Sequence, residues 1–376
     1  MNRSFYRKGS LLLGMAVFWG LLLLPQPAQA DEPAPFEMLV VGDSHISGQG
    51  LREENKFYSL VRDWLQNDVF GTTRKVDLKV LAHAGARIEL HQDELEKMQK
   101  VGDDINKFYE REANISSPSI RAQIDRARNE YKDPEKVELV MLSGCITDIL
   151  VANTVNPFYN EKKLRKNITK YCNESMFGLL EHTKKAFPNA HVVVVGYFPI
   201  ASKDTDVNTM THYFLKILNL PPKLHFVFTN GLSRQPLKIL RNKIAKRSAL
   251  WLKESNRALL EAVERFNAKT ETPSVLFVES PITDGSAFAT KNTMLWTMGE
   301  DNLPNDETYA DRMKVCSRVF GDLKFHHYGR LTMRLCELSS VAHPNILGAK
   351  AFATAIENKL ESVLSEHIAS RRRPRP

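Results

Sequence analysis

Residues 37–48 read Glu37-Met38-Leu39-Val40-Val41-Gly42-Asp43-Ser44-His45-Ile46-Ser47-Gly48. An apolar run stops at a glycine and passes at once into Asp-Ser, the pattern of a buried strand whose tight turn leaves the serine exposed at the strand's carboxyl end. Further β-branched runs follow at 75–81, 137–143, 191–197 and 274–279. Between them, stretches at 55–67, 167–186, 250–268 and 348–365 carry apolar residues at helical spacing. Strands alternating with helices predict an α/β domain with a mainly parallel sheet covered on both faces, and such sheets place their sites at the carboxyl ends of the strands. Two segments fit the alternation less well. Residues 89–133 are polar and are expected to form a long helical connection. Residues 201–244 form an insertion holding Phe214, Leu218, Leu220, Pro221, Pro222, Leu224, Phe226, Val227 and Phe228; it reads equally as a substrate wall or lid and as a self-packed cluster.

The termini read differently from the body. Arg3, Arg7 and Lys8 precede an apolar run over 11–24, then Pro25, Pro27 and the small-residue ending Ala28-Gln29-Ala30. This is the pattern of a secretory signal peptide over residues 1–30, cleaved before Asp31, and it sets a periplasmic or secreted address for the rest. The mature body is then residues 31–368, followed by a basic disordered tail at 369–376. Of the formal net charge of +8, three charges belong to the leader, and Arg371, Arg372, Arg373 and Arg375 supply four more. The body is near neutral, which disfavours nucleic acid as a partner and leaves the tail a weak contact with a membrane surface. Cys145, Cys172, Cys316 and Cys336 would meet an oxidising compartment, and the sequence-local pairing, Cys145 with Cys172 and Cys316 with Cys336, is favoured. No metal-site spacing is present, and His326-His327 reads as a loop pair. Asn114, Asn167 and Asn173 satisfy the N-glycosylation pattern, which matters only in a eukaryotic secretory pathway.

Ser44 is not in a G-x-S-x-G elbow, since Ile46 stands where the second glycine would be. A serine hydroxyl needs a positioned base, and His343 in Ser340-Val341-Ala342-His343-Pro344-Asn345, just before the last amphipathic stretch, is the candidate. Gly85 after the second strand and Thr147 after the third could join the Ser44 amide as donors to an oxyanion. Asp43 and Asp148 are expected to organise loops by accepting backbone hydrogen bonds, and His45 and His83 to line or shape the site.

This set resembles the SGNH (GDSL) hydrolases. Ser44 matches the serine of the first block, Gly85 the glycine of the second, and His343, in its His-Pro-Asn-x-x-Gly-Ala context, the histidine of the last. The resemblance runs from Val40 to about Ile356. It implies a three-layer α/β/α sandwich with a flavodoxin-like, mainly parallel sheet, and a carboxylic-ester hydrolase of esterase or lipase type needing no cofactor. Catalysis would run through an acyl-enzyme on Ser44 with His343 as general base, on a small-molecule, lipid or acylated-glycan ester. Two positions depart from the pattern. Thr147 stands where the third block has asparagine, and Ser340 stands three residues before His343, where the acid is usual. Losing a triad acid can cost roughly 10⁴-fold, although a backbone carbonyl can still hold the ring; Glu337 is the alternative carboxylate. The departures keep open a catalytically degenerate scaffold acting as an envelope binding protein, and a glycan O-acyltransferase or acetylesterase.

Overall fold

The computed structural model describes residues 33–364 except 72, 219–233, 302 and 328. Its strands fall where the β-branched runs predicted them: β1 Phe36–Val41, β2 Val76–Val80, β3 Val137–Leu142, β4 His191–Val195 and β5 Val275–Val278. All pair in parallel, in the order β2-β1-β3-β4-β5. This is the flavodoxin-like order, whose reversal between β1 and β3 opens a crevice at the carboxyl ends of those two strands.

Both sheet faces are dry, which is why the strands read as unbroken apolar runs. Met38 and Val40 point to one face, where Phe57, Tyr58 and Val61 of the Phe57–Trp64 helix meet Phe352, Ile356 and Leu360 of the Ile346–Glu361 helix. Leu39 and Val41 point to the other, against the helices Ile120–Glu130, Met176–Ala186 and Arg234–Asn267, with Trp251 fully buried among them. The arrangement is a three-layer α/β/α sandwich.

Two expectations need correction. Residues 89–133 do not form one helical connection: helices at Gln92–Val101 and Ile120–Glu130 flank an irregular stretch that Gly102 opens in the left-handed region. The expected 250–268 helix begins at Arg234, sixteen residues earlier, so its first part belongs to the supposed insertion. The rest of that insertion is described as the Val207–Ile217 helix, while Leu220 to Phe228 lie outside the described residues. So do the leader, the cleavage point before Asp31 and the arginines of the tail. Among the described residues no helix is long and apolar enough to cross a membrane.

The turn after β1 is dictated by space. Gly42 has φ +144°, and a Cβ there would stand 2.6 Å from the Ser143 carbonyl oxygen at the end of β3. The Gln123 carboxamide closes the same turn from behind, accepting from the Gly42 N–H at 2.8 Å and donating to its carbonyl at 3.1 Å. Disulfides join Cys145 to Cys172 and Cys316 to Cys336. Gly42→Ala is therefore expected to lower stability by about 1–3 kcal/mol through overpacking and backbone strain, read as a lower urea midpoint at unchanged slope.

Candidate active site

Ser44 opens a single helical turn, Ser44–Ser47, at the end of β1. Asp43 caps that turn, accepting from the His45 N–H at 3.1 Å. The same carboxylate accepts from Ser143 Oγ and from Tyr197 Oη, each at 2.6 Å. Tyr197 Oη in turn accepts from the Ile146 N–H at 3.2 Å. One buried carboxylate thus ties together the segments that follow β1, β3 and β4. Burial pushes the Asp43 carboxyl up, and the bonds from Ser143 and Tyr197 only partly pull it back.

His343 reaches Ser44 from the far end of the chain, with Nε2 2.7 Å from Oγ. Its segment is pinned by a short antiparallel bridge between Leu295 and Pro344. The Trp296 N–H donates to the His343 carbonyl at 2.8 Å, and the Ala342 N–H donates to the Trp296 carbonyl at 2.9 Å. Beyond it, the Asn345 side chain caps the final helix by accepting from the Leu347 and Gly348 N–H groups. Burial pulls the imidazole down to about 4, the Arg312 charge acts in the same direction, and the carbonyls of Ser340, Val341 and Ser339 oppose both. Among the described residues Nδ1 is buried without a hydrogen-bond partner.

Gly85 stands beside the pair with φ +81°, and a Cβ there would lie 2.6 Å from the Ile115 carbonyl oxygen. Ser44 and Gly85 both line the cavity, and among the described residues neither backbone N–H donates to an acceptor in the chain. Thr147 also lines it, but not as expected. Its one hydroxyl proton is given to the Ala86 carbonyl at 2.5 Å, so the side chain is a poor donor to an oxyanion. Glu337 is no substitute acid either, since its carboxylate takes Arg334 Nη1 at 2.7 Å.

Asp148 behaves as expected in accepting from the Ile88 N–H at 3.2 Å, and burial raises its carboxyl to about 7. His45 does not line the cavity. It packs behind Ser44 among Phe57, Tyr197, Phe198 and Phe352, and burial drives its pKa down to about 3. His83 is likewise buried, with Nδ1 2.8 Å from the Ala84 carbonyl. His327 is less peripheral than its loop suggested: it lines the cavity and lies 3.3 Å from Glu94, which pairs with the buried Arg87.

The cavity over Ser44 and His343 measures about 560 Å³. Much of its wall is apolar: Val155, Phe198, Phe214, Ile217, Leu240 and Ile244. Phe214 and Ile217 come from the insertion's helix and Leu240 and Ile244 from the early turns of the long helix, so the described part of the insertion is a cavity wall.

Several solved structures align with this chain at low similarity. A phospholipase A1 from Streptomyces albidoflavus NA297 aligns at 10% identity and a TM-score of 0.46, over 86% of this chain and 99% of that one. An extracellular lipase from Streptomyces rimosus aligns at 13% identity and 0.42, over 86% and 99%. A family two carbohydrate esterase from Clostridium thermocellum aligns at 12% and 0.41, over 89% and 66%. No family model matches the sequence, and no curated protein matches it significantly.

Sequence reasoning missed Tyr197, Gln123, Asp306 and Arg312. None sits in a motif, and each matters through a partner far away in the chain. If His343 accepts the Ser44 proton it must be neutral, so activity is present above its pKa and lost below it. The rising limb of kcat/KM against pH is expected to have its midpoint near 4, well under the ordinary histidine value of 6.5; a midpoint at the ordinary value would contradict the burial found here.

Proposed function

We propose that this chain is an exported serine ester hydrolase of the SGNH (GDSL) type, acting on esters with an extended apolar acyl group. The observation that carries the reading is the 2.7 Å contact between Ser44 Oγ and His343 Nε2 inside the cavity. Ser44 attacks the ester carbonyl while Nε2 takes its proton. The tetrahedral oxyanion is held by the Ser44 and Gly85 amides, and the imidazolium returns the proton to the departing alcohol. Water, activated by the same histidine, then releases the acid from the acyl-enzyme.

The apolar wall supports an acyl chain over an acetyl group, because a chain of several methylenes gains roughly 0.8 kcal/mol for each one buried. Paired cysteines support export, since disulfides persist in oxidising compartments. Arg312 beside a His343 that lacks a bonded acid favours a second reading, in which the scaffold binds an acylated ligand without turnover.

Hydrolysis of p-nitrophenyl acetate, butyrate and decanoate by the purified protein and by Ser44→Ala separates the two. Turnover is expected to favour the longer acyl chains and to fall by roughly 10⁴-fold or more in Ser44→Ala. Equal, residual rates in the two proteins, with both folded, would leave the binding scaffold as the better account; a preference for acetate would move the substrate to acetylated glycans.

A further inference from the structure

The position three residues before His343 is a serine, yet it is the most heavily partnered part of the His343 turn. Ser340 Oγ donates to Asp306 Oδ2 at 2.6 Å and accepts from Arg312 Nη2 at 2.9 Å. Arg312 holds Asp306 with both terminal nitrogens, Nη1 to Oδ1 at 2.9 Å and Nη2 to Oδ2 at 2.6 Å. Its Nε donates to the Glu337 carbonyl at 3.2 Å, and Glu112 stands 3.5 Å from Nη1. The side chains of Arg312 and Asp306 are fully buried, as is Ser340. Burial alone would raise the Asp306 carboxyl, but the bonds and charge of Arg312 outweigh it and hold it low, so the pair stays ionised.

A buried ion pair is weak evidence of stability, because its desolvation offsets much of its attraction; fixing one register is its better attested use. Here the pair grips the turn at both ends of residues 337–340. The Ser340 carbonyl accepts the His343 N–H at 2.9 Å, so the gripped turn holds the backbone that carries the imidazole. We propose that Asp306, Arg312 and Ser340 are positioning residues for His343, holding the turn to which its backbone N–H is bonded and standing in for the absent acid. The proposal rests on Ser44 and His343 being nucleophile and base.

Electrostatics gives Asp306 a second task. When Nε2 takes the Ser44 proton, the ring becomes a cation with protons on both nitrogens, and no proton passes further. The charged group that acts on it is Arg312, against which Asp306 and Glu112 lie, with neutral His45 behind Ser44. Arg312 alone would disfavour the imidazolium; the carboxylates of Asp306 and Glu112 offset it. The acid is thus retained one residue back, reaching His343 through Ser340 and its turn instead of by a direct bond.

The test uses Ser340→Ala and Asp306→Asn. Ser340→Ala keeps the ion pair and is the variant expected to fold normally. Its kcat should fall by roughly 10- to 10²-fold at unchanged KM, and Ser44 labelling by a fluorophosphonate should slow by a similar factor. Asp306→Asn leaves the Arg312 charge less opposed, so the acid limb of its pH profile should move to lower pH as kcat falls. Nitrogen NMR of His343 gives a readout independent of any substrate: a single Nδ1–H tautomer in the unmodified protein, and a mixture in Ser340→Ala. Wild-type kcat, pH profile and tautomer in a folded Ser340→Ala would overturn the proposal. If the unmodified protein neither turns over esters nor takes the fluorophosphonate, the hydrolase reading fails, and the tautomer shift alone then decides whether the three residues set the ring.

Discussion

The site depends on one buried carboxylate. Asp43 sits where three strands end, and its oxygens take a backbone N–H from its own turn, a hydroxyl from the end of β3 and a phenol from the end of β4. Each acceptor bond removes a degree of freedom from a loop that would otherwise move separately. A carboxyl group in such a place is costly unless its oxygens are hydrogen-bonded, and here the neighbours that bond them are the segments that carry Ser44 and the cavity wall. Gly42 makes the approach of β1 and β3 possible, and Gln123 saturates its backbone from the opposite face.

The strands were legible because a parallel sheet dry on both sides must be written in continuous apolar residues, whereas their flavodoxin-like order was only implied by the resemblance. The pairing of Ser44 with His343, 299 residues apart, was legible for a different reason. Both stand next to an abrupt break in an apolar pattern, and the topology leaves few places for such residues to converge. Direction was not legible. Sequence gives the type of residue at 147 but not where its single proton goes, and the Ala86 carbonyl claims it.

Asp306 and Arg312 were invisible for a third reason. Six residues apart around the start of the Tyr309–Asp322 helix, they sit in no motif and drew no reading. Asp306 does accept from the Thr308 N–H at 3.0 Å, as a cap-like residue would. Only the fold shows that the helix start faces inward, where Ser340 offers a hydroxyl in place of a carboxylate. A short polar side chain at 340 is what leaves room for two larger charged groups behind it. A comparison made position by position sees the serine at 340 but not the Asp306–Arg312 pair bonded to it.

The disulfides bear on when the site comes into being. One joins Cys145, two residues before the cavity-lining Thr147, to the helical segment that backs it. The other joins the helix that carries Arg312 to the short helix that runs into the Ser340 turn. Each cross-link fastens one bank of the crevice to its support. In a chain whose thiols are still reduced, both banks rest on packing, hydrogen bonds and the buried ion pair, without a covalent tie. Oxidation of the four thiols therefore ties both banks of the crevice covalently to the helices behind them.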